Sequence, residues 1–332
     1  MTNSTTHTNA IEVRDLVVTN GDVTAVRGVS FTIPTGGRMG LVGESGSGKS
    51  MTALALMGLL PMGWQTRGNV LHDGVDLVTQ SDNALSSRRG RTLSMVFQDP
   101  LSSLNPVRRV GDQISSVIRR HTGIGKKEAE AQTIELIRQM NLPRPEQLVR
   151  AFPHEISGGQ RQRIMIAMAL ACYPQLIIAD EPTTALDVTV QKQVLRLLNT
   201  AVQERGSALI MITHDLPIIA AMCDTVAVMY AGKIVEIGPV AEVFRNPRHH
   251  YTRGLLDSQP TMDNIALDGS SRLASIPGMV PPLHSLPTGC AFHPRCAAAT
   301  RQCMEQVPLL DEGVRRAACW HPINADIPME AA

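Results

Sequence analysis

The stretch Gly43-Glu44-Ser45-Gly46-Ser47-Gly48-Lys49-Ser50 constrains this chain more than any other, because of what flanks it. Met39 to Val42 before it reads as a short apolar strand. Lys49 to Leu60 after it is apolar nearly all round, as suits a buried helix, and Pro61 is expected to stop that helix. Strand, glycine-rich turn and helix start in that order fit the phosphate-loop pattern G-x-x-x-x-G-K-[ST]. Glycines let backbone N–H groups turn inward toward close-packed phosphate oxygens, and the helix adds its positive end. Lys49 then supplies a mobile charge for the β- and γ-phosphates of ATP, and the Ser50 hydroxyl a ligand for Mg2+.

The rest of the pattern agrees with an α/β sheet. Ser94 to Phe97, Leu176 to Ala179 and Ala208 to Ile212 are continuous apolar runs, as expected of buried parallel strands. Val188 to Arg205 is helical, with Val190, Val194, Leu197, Leu198 and Ala201 on one face, Asp187 as cap and Gly206 beyond the end. Ile11 to Val18 and Val29 to Ile33 alternate apolar and polar residues, which predicts half-exposed strands of an antiparallel sheet. Between Gln98 and Gln160 the strands give way to helical patterning, clearest over Lys126 to Met140, so residues about 99–160 read as a helical insertion. Prolines crowd the chain after Gly238, which marks residues 239–332 as a separate, loop-rich extension. Residues 1–10 are polar and expected to be disordered, leaving a nucleotide-binding domain over 11–238.

Composition narrows the classes of function. A net charge of +1 lacks the basic excess that phosphate contacts demand of a nucleic-acid binder. Short basic runs such as Arg88-Arg89-Gly90-Arg91 are better read as solvated faces. The longest apolar run, Ile164 to Cys172, is about half of the ~18 residues a membrane span needs. With no hydrophobic leader among the first residues, the chain is expected to work in the cytoplasm, as a peripheral partner wherever it serves a membrane.

Four further elements belong to the same chemistry. Leu176 to Glu181 ends a buried strand in two acids, an expensive arrangement unless a cation offsets it. Asp180 is placed to hold Mg2+ through water, and Glu181 to polarise the water attacking the γ-phosphate. Ser157-Gly158-Gly159-Gln160 opens another helix, expected to run to about Tyr173, with bare glycines and a hydroxyl. Alone it would be an ordinary serine cap. Beside the first loop it makes a second anion cradle, which one nucleotide does not need, so it is expected to serve the ATP of another subunit. His214 follows Ala208 to Ile212 and can reach the γ-phosphate and Glu181. Gln98 follows Ser94 to Phe97 and can touch Mg2+ or the attacking water.

Together these elements resemble the ATP-binding cassette (ABC) ATPases over about Ile11 to Gly238. Gly43 to Ser50 is similar to the Walker A motif, Gln98 to the Q-loop and Ser157 to Gln160 to the signature motif, with Ile156 where leucine is usual. Leu176 to Glu181 resembles Walker B, Thr184 to Asp187 the D-loop and His214 the switch histidine. The resemblance implies a P-loop NTPase fold with a RecA-like core, an antiparallel β subdomain and a helical subdomain. It also implies a head-to-tail dimer in which ATP lies between Walker A of one subunit and the signature of the other. The family's usual adenine-stacking aromatic is absent from Val17 to Thr24.

A narrower resemblance covers the remaining chain. Phe97 to Pro100 continuing through Ser103-Leu104-Asn105-Pro106, then Tyr230 to Glu236 and Asn246 to Pro260, are similar to the dipeptide/oligopeptide/nickel importer group. That group implies a sister ATPase, two membrane permeases and a solute-binding protein as partners, with peptide, nickel or another small solute as cargo. A soluble ABC ATPase acting on nucleic acid or ribosomes is the less favoured alternative, for want of coiled-coil insertions, a second cassette or basic extensions.

Two of the six cysteines, Cys172 and Cys223, sit in apolar surroundings and read as core. Cys290, Cys296, Cys303 and Cys319 cluster in the extension at spacings of five, six and fifteen residues, unlike the close pairs of zinc modules. By resemblance to some members of the importer group they are expected to hold a [4Fe–4S] cluster, with zinc as the alternative.

Overall fold

The computed structural model describes residues 9–99, 103–183, 186–259 and 275–323. The expected disorder over residues 1–8, the residues Pro100, Thr184 and Ala185 of the quoted motifs, and Pro260 lie outside these. Two sheets organise the chain. The first is antiparallel, with strands β1 (Asn9–Asn20), β2 (Val23–Pro34), β4 (Gln65–His72) and β5 (Val75–Asp76) in the order β2-β1-β4-β5. Asn9 and Ala10 are part of β1 and paired with β2, so the expected boundary at Ile11 falls inside a strand.

The second sheet carries the core. Its order is β11-β10-β9-β3-β8-β7-β6, with β3 (Arg38–Val42), β6 (Leu93–Val96), β7 (Leu176–Asp180), β8 (Ala208–Ile212), β9 (Thr225–Tyr230), β10 (Lys233–Pro239) and β11 (Arg316–Ala317). From β9 to β6 the pairing is parallel. Continuous apolar runs form these strands because both faces are covered. Ile177, Ala179, Leu209 and Met211 face one buried cluster; Leu176, Ile178, Ile210 and Ile212 face the other.

Helices cover the two faces. α1 (Lys49–Met57) packs on the face shared with the antiparallel sheet. It ends at Gly58, which takes a left-handed cap with φ 62°, and so stops short of Pro61. α2 (Asp82–Arg88) follows. α3 (Val110–Thr122), α4 (Lys126–Gln139) and the short α5 (Pro145–Leu148) form the helical insertion, joined to the core by α6 (Gly158–Leu170). α7 (Val188–Arg205) buries Val194, Leu198 and Val202, each worth about 1.5–3 kcal/mol on leaving water. Asp187 caps it by accepting from the N–H groups of Thr189 and Val190. α8 (Leu216–Met222) precedes β9. Cys223 is buried and Cys172 half-buried against the core, as expected of structural thiols.

The C-terminal region is not a separate appendage. α9 (Val240–Arg245) and α10 (His250–Asp257) pack back on the core, and β11 extends the main sheet by pairing with β10. Buried Glu236 of β10 accepts from the N–H groups of Arg248 and His249 and pairs with Arg315 at 3.4 Å. α11 (Arg301–Glu305) completes the helices described.

Candidate functional site

Parallel strands deliver their C-terminal ends to one edge of the sheet, where ligands of such sheets bind. β3 leads into Gly43–Ser50, β6 into Gln98, β7 into Asp180 and Glu181, and β8 into His214. The strand order β3-β8-β7-β6 puts them side by side, and Ile212 is level with both Leu41 and Asp180. A cavity of about 480 Å3 opens there, lined by Gly43, Glu44, Ser45, Gly46, Gly48, Lys49, Ser50, Gln98, Glu181 and His214.

The loop is shaped by glycine where backbone crowds backbone. A Cβ on Gly43 would lie 2.2 Å from the Met229 carbonyl oxygen, and one on Gly48 2.5 Å from that of Ala25, with φ at 149° and 100°. Within the loop, Lys49 Nζ donates to the carbonyl oxygens of Gly43 and Glu44 at 2.8 and 2.9 Å and to Ser47 Oγ at 3.3 Å. Burial lowers the Lys49 pKa, with Glu181, Asp180 and Glu44 pulling it back up. The ammonium is thus held by neutral oxygens of its own loop, beside the cavity that loop lines.

The two acids differ in surroundings. Asp180 is buried at the end of β7, and its Oδ1 has no hydrogen-bond partner. Burial raises its pKa, partly offset by the Ser50 hydroxyl and Lys49. An orphaned buried carboxylate oxygen beside a serine hydroxyl fits a hard divalent cation. Glu181 has the left-handed φ of 46°, rare for a side-chain-bearing residue and characteristic of strained functional positions. Its carboxylate lies 3.3 Å from His214 Nδ1 and accepts from Gln98 Nε2 at 3.1 Å. Glu181, His214 and Gln98, read from three separate strand ends, therefore meet as one cluster.

Ser157, Gly158, Gly159 and Gln160 do not line this cavity. Ser157 caps α6, its Oγ accepting from the Gln160 N–H at 3.3 Å while Gln160 Oε1 accepts from the Ser157 N–H at 2.9 Å. Ser157 and Gly158 are exposed. Within one subunit, then, the second cradle faces outward.

Several cavity residues carry no sequence motif. Ala25, Met51, Trp64 and Leu283 complete the wall. Trp64 lies just before β4, its N–H bonded to the Pro61 carbonyl, beside the β1–β2 turn where Asn20 approaches Gly63. It brings an aromatic surface to a site whose upstream segment has none.

The C-terminal cysteines come together only loosely. All four thiols border one cleft of about 20 Å3, room for a water-sized group. Burial raises the pKa of Cys290 and Cys296, and that of Cys319 to about 11. Among the described residues, no group of three or more His, Cys, Asp or Glu side chains stands in metal-holding geometry. The donor chemistry suits a [4Fe–4S] cluster or zinc, but the cleft is too small for the cluster and the side chains are not arranged to hold either, so that expectation is not met here.

With the geometry in place, comparison with known proteins decides the family. The ABC transporter model matches residues 26–184, and the model for the oligopeptide/dipeptide transporter C-terminal region matches residues 235–303. The oligopeptide transport ATP-binding protein of Salmonella typhimurium is 46% identical over 320 residues, covering 95% of this chain and 94% of that protein. The chain belongs to the ABC transporter ATPases. The probable D,D-dipeptide transport ATP-binding protein of Escherichia coli is 48% identical over 310 residues, covering 91% of this chain and 92% of that protein. Among solved structures, the dimeric bacterial ABC transporter cassette MJ0796 superposes with a TM-score of 0.63 at 25% identity, covering 69% of this chain and 98% of that one. As a member of this family the chain is an ATPase coupled to transport, and among the described residues no helix is long and apolar enough to cross a membrane.

Proposed function

We propose that this chain is the ATP-hydrolysing subunit of a peptide importer. It works on the cytoplasmic face of the membrane with two permease subunits, a second cassette ATPase and a solute-binding protein. The region matched over residues 235–303 favours dipeptides or oligopeptides over nickel or another small solute. The observation that carries the enzymatic reading is the convergence of Glu181, His214 and Gln98 on the cavity formed by the Lys49 loop.

When MgATP enters, Lys49 exchanges its carbonyl partners for β- and γ-phosphate oxygens. The N–H groups of the loop and the start of α1 close round the phosphates. Ser50 and Asp180 would hold Mg2+, with Gln98 beside them, and the ion would supply positive charge to offset that of the phosphates. Trp64 offers a flat apolar face to the adenine. Glu181 orients and polarises the attacking water, while His214 and Gln98 keep its carboxylate aimed at the γ-phosphate. The outward Ser157–Gln160 helix start caps the γ-phosphate held by a companion cassette, so binding closes the dimer and hydrolysis reopens it. The proposal needs no metal at the C-terminal thiols.

Glu181→Gln tests this reading. MgATP binding should persist, hydrolysis should fall about a hundredfold or more, and nucleotide-loaded dimers should accumulate on size exclusion. Turnover at the wild-type rate would remove Glu181 from the mechanism.

A further inference from the structure

The C-terminal region touches the nucleotide site directly. Arg295 lies in a tight turn between Cys290 and Cys296 and is 6% exposed. Its guanidinium forms a two-pronged pair with Glu44, Nη1 to Oε2 at 2.6 Å and Nη2 to Oε1 at 2.9 Å. Glu44 is the second residue of the phosphate loop. The rings of Tyr230 and Phe292 flank the guanidinium at 5.8 and 5.9 Å, and its Nε donates to the Pro277 carbonyl at 2.8 Å. Arg295 is thus held by Phe292 and Pro277 of its own region and by Tyr230 of β9 as it reaches the loop.

Glu44 is gripped at three points. Arg295 takes its carboxylate. The Tyr251 hydroxyl, from α10, accepts from its backbone N–H at 2.7 Å. Lys49 donates to its carbonyl oxygen at 2.9 Å. Two of the three grips come from the C-terminal region and the third is the phosphate-binding lysine. A shift of Arg295 or Tyr251 therefore moves the carbonyl that parks Lys49 and the loop whose N–H groups face the phosphates. The guanidinium is buried while Glu44 is half-buried, so removing Glu44 would leave the Arg295 charge uncompensated, and the two-pronged pair resists separation.

We propose that Arg295 is a positioning residue for ATP binding: through Glu44 it fixes the phosphate loop, making nucleotide affinity depend on the seating of the C-terminal region. This rests on the cavity being the nucleotide site. It assigns that region a place in the ATPase cycle, since anything that withdraws the Cys290–Cys296 turn loosens the loop.

The test measures MgATP affinity and melting temperature of the full chain in Arg295→Gln, Arg295→Lys, Glu44→Gln and the Glu44→Gln/Arg295→Gln double variant. Arg295→Gln should weaken MgATP about tenfold, raising KM more than it lowers kcat, and Arg295→Lys should recover part of the loss. The double variant should be little worse than either single one, because both break the same link. Wild-type affinity in folded Arg295→Gln, or losses that add in the double variant, overturns the coupling. Should Arg295→Gln fail to fold, wild-type affinity in both Arg295→Lys and Glu44→Gln overturns it equally. Lys49→Ala separates the two levels: undiminished MgATP binding there brings down the site itself, whereas its loss beside normal Arg295 variants brings down only the coupling.

Discussion

Trp64 shows how much a single side chain can supply that its neighbours lack. The segment Val17 to Thr24 has no aromatic, yet Trp64 reaches the nucleotide cavity from the turn before β4. Base–aromatic stacking is worth about 1–3 kcal/mol, so Trp64→Ala should weaken MgATP about tenfold while leaving inorganic triphosphate binding unchanged. Trp64→Phe should restore most of the affinity. With Trp320 replaced by Phe, Trp64 is the one remaining tryptophan of two, and its fluorescence should respond to ATP but not to triphosphate. Equal losses for both ligands in Trp64→Ala would place the ring away from the base. The contrast with Glu181, His214 and Gln98 explains what was legible at this scale. Those three sit directly beyond apolar strands, so their positions follow from local pattern. Trp64, Leu283 and Arg295 join the site through tertiary packing, Arg295 across 251 positions of sequence, and no local signal marks them.

At the scale of elements, the buried ones read best. The runs Ala208–Ile212 and Val188–Arg205 have the bounds their patterns predict, because continuous burial and clear caps leave little competition. β4 leaves no clear pattern in the sequence, since Gly68 and polar residues interrupt a half-exposed strand whose order comes from β1. α3 is masked by Ser115, Ser116 and charged neighbours, although Ile114 and Ile118 seat it in the core. α10 carries a further consequence. Its cap is His249, 2% exposed, whose Nδ1 accepts from the Tyr251 N–H at 3.0 Å. Burial, with His250 nearby, lowers its pKa from 6.5 to about 3. The folded state keeps this ring neutral while the unfolded chain protonates it, so stability is whole above pH 6.5 and falls as pH drops from 6.5 toward about 3. The slope from this residue is about 1.4 kcal/mol per pH unit. His249→Asn keeps a good cap without a titrating ring. Its unfolding free energy should be lower at pH 7 but less steep below pH 6.5, and an unchanged slope in urea melts would remove His249 as the cause.

For the molecule as a whole, the Lys49 loop and the Ser157 helix start do not share a cavity, and the glycines of the second separate folding from assembly. A Cβ on Gly159 would meet Val190 Cγ1 at 3.3 Å, so that glycine has an internal reason to be bare. A Cβ on Gly158 would find only Arg161 Nη2 at 4.0 Å, and the residue is exposed at the first position of α6. Nothing among the described residues requires glycine there. Gly158→Asp should therefore leave the free chain folded, even slightly steadier, since a carboxylate at a helix start contributes about 0.3–1 kcal/mol. Its melting temperature should be equal to or slightly above the parent's, and its own MgATP affinity should match, because the Lys49 loop and Asp180 lie elsewhere. Placed against a companion's γ-phosphate, the same carboxylate meets like charge in a closed, poorly hydrated site. Nucleotide-dependent dimers in the Glu181→Gln background should then vanish on size exclusion, and hydrolysis by the Gly158→Asp single variant should fall to the level of an isolated cassette. If dimers and turnover survive this substitution, the outward helix start faces no nucleotide, and ATP in this protein is completed by some other surface.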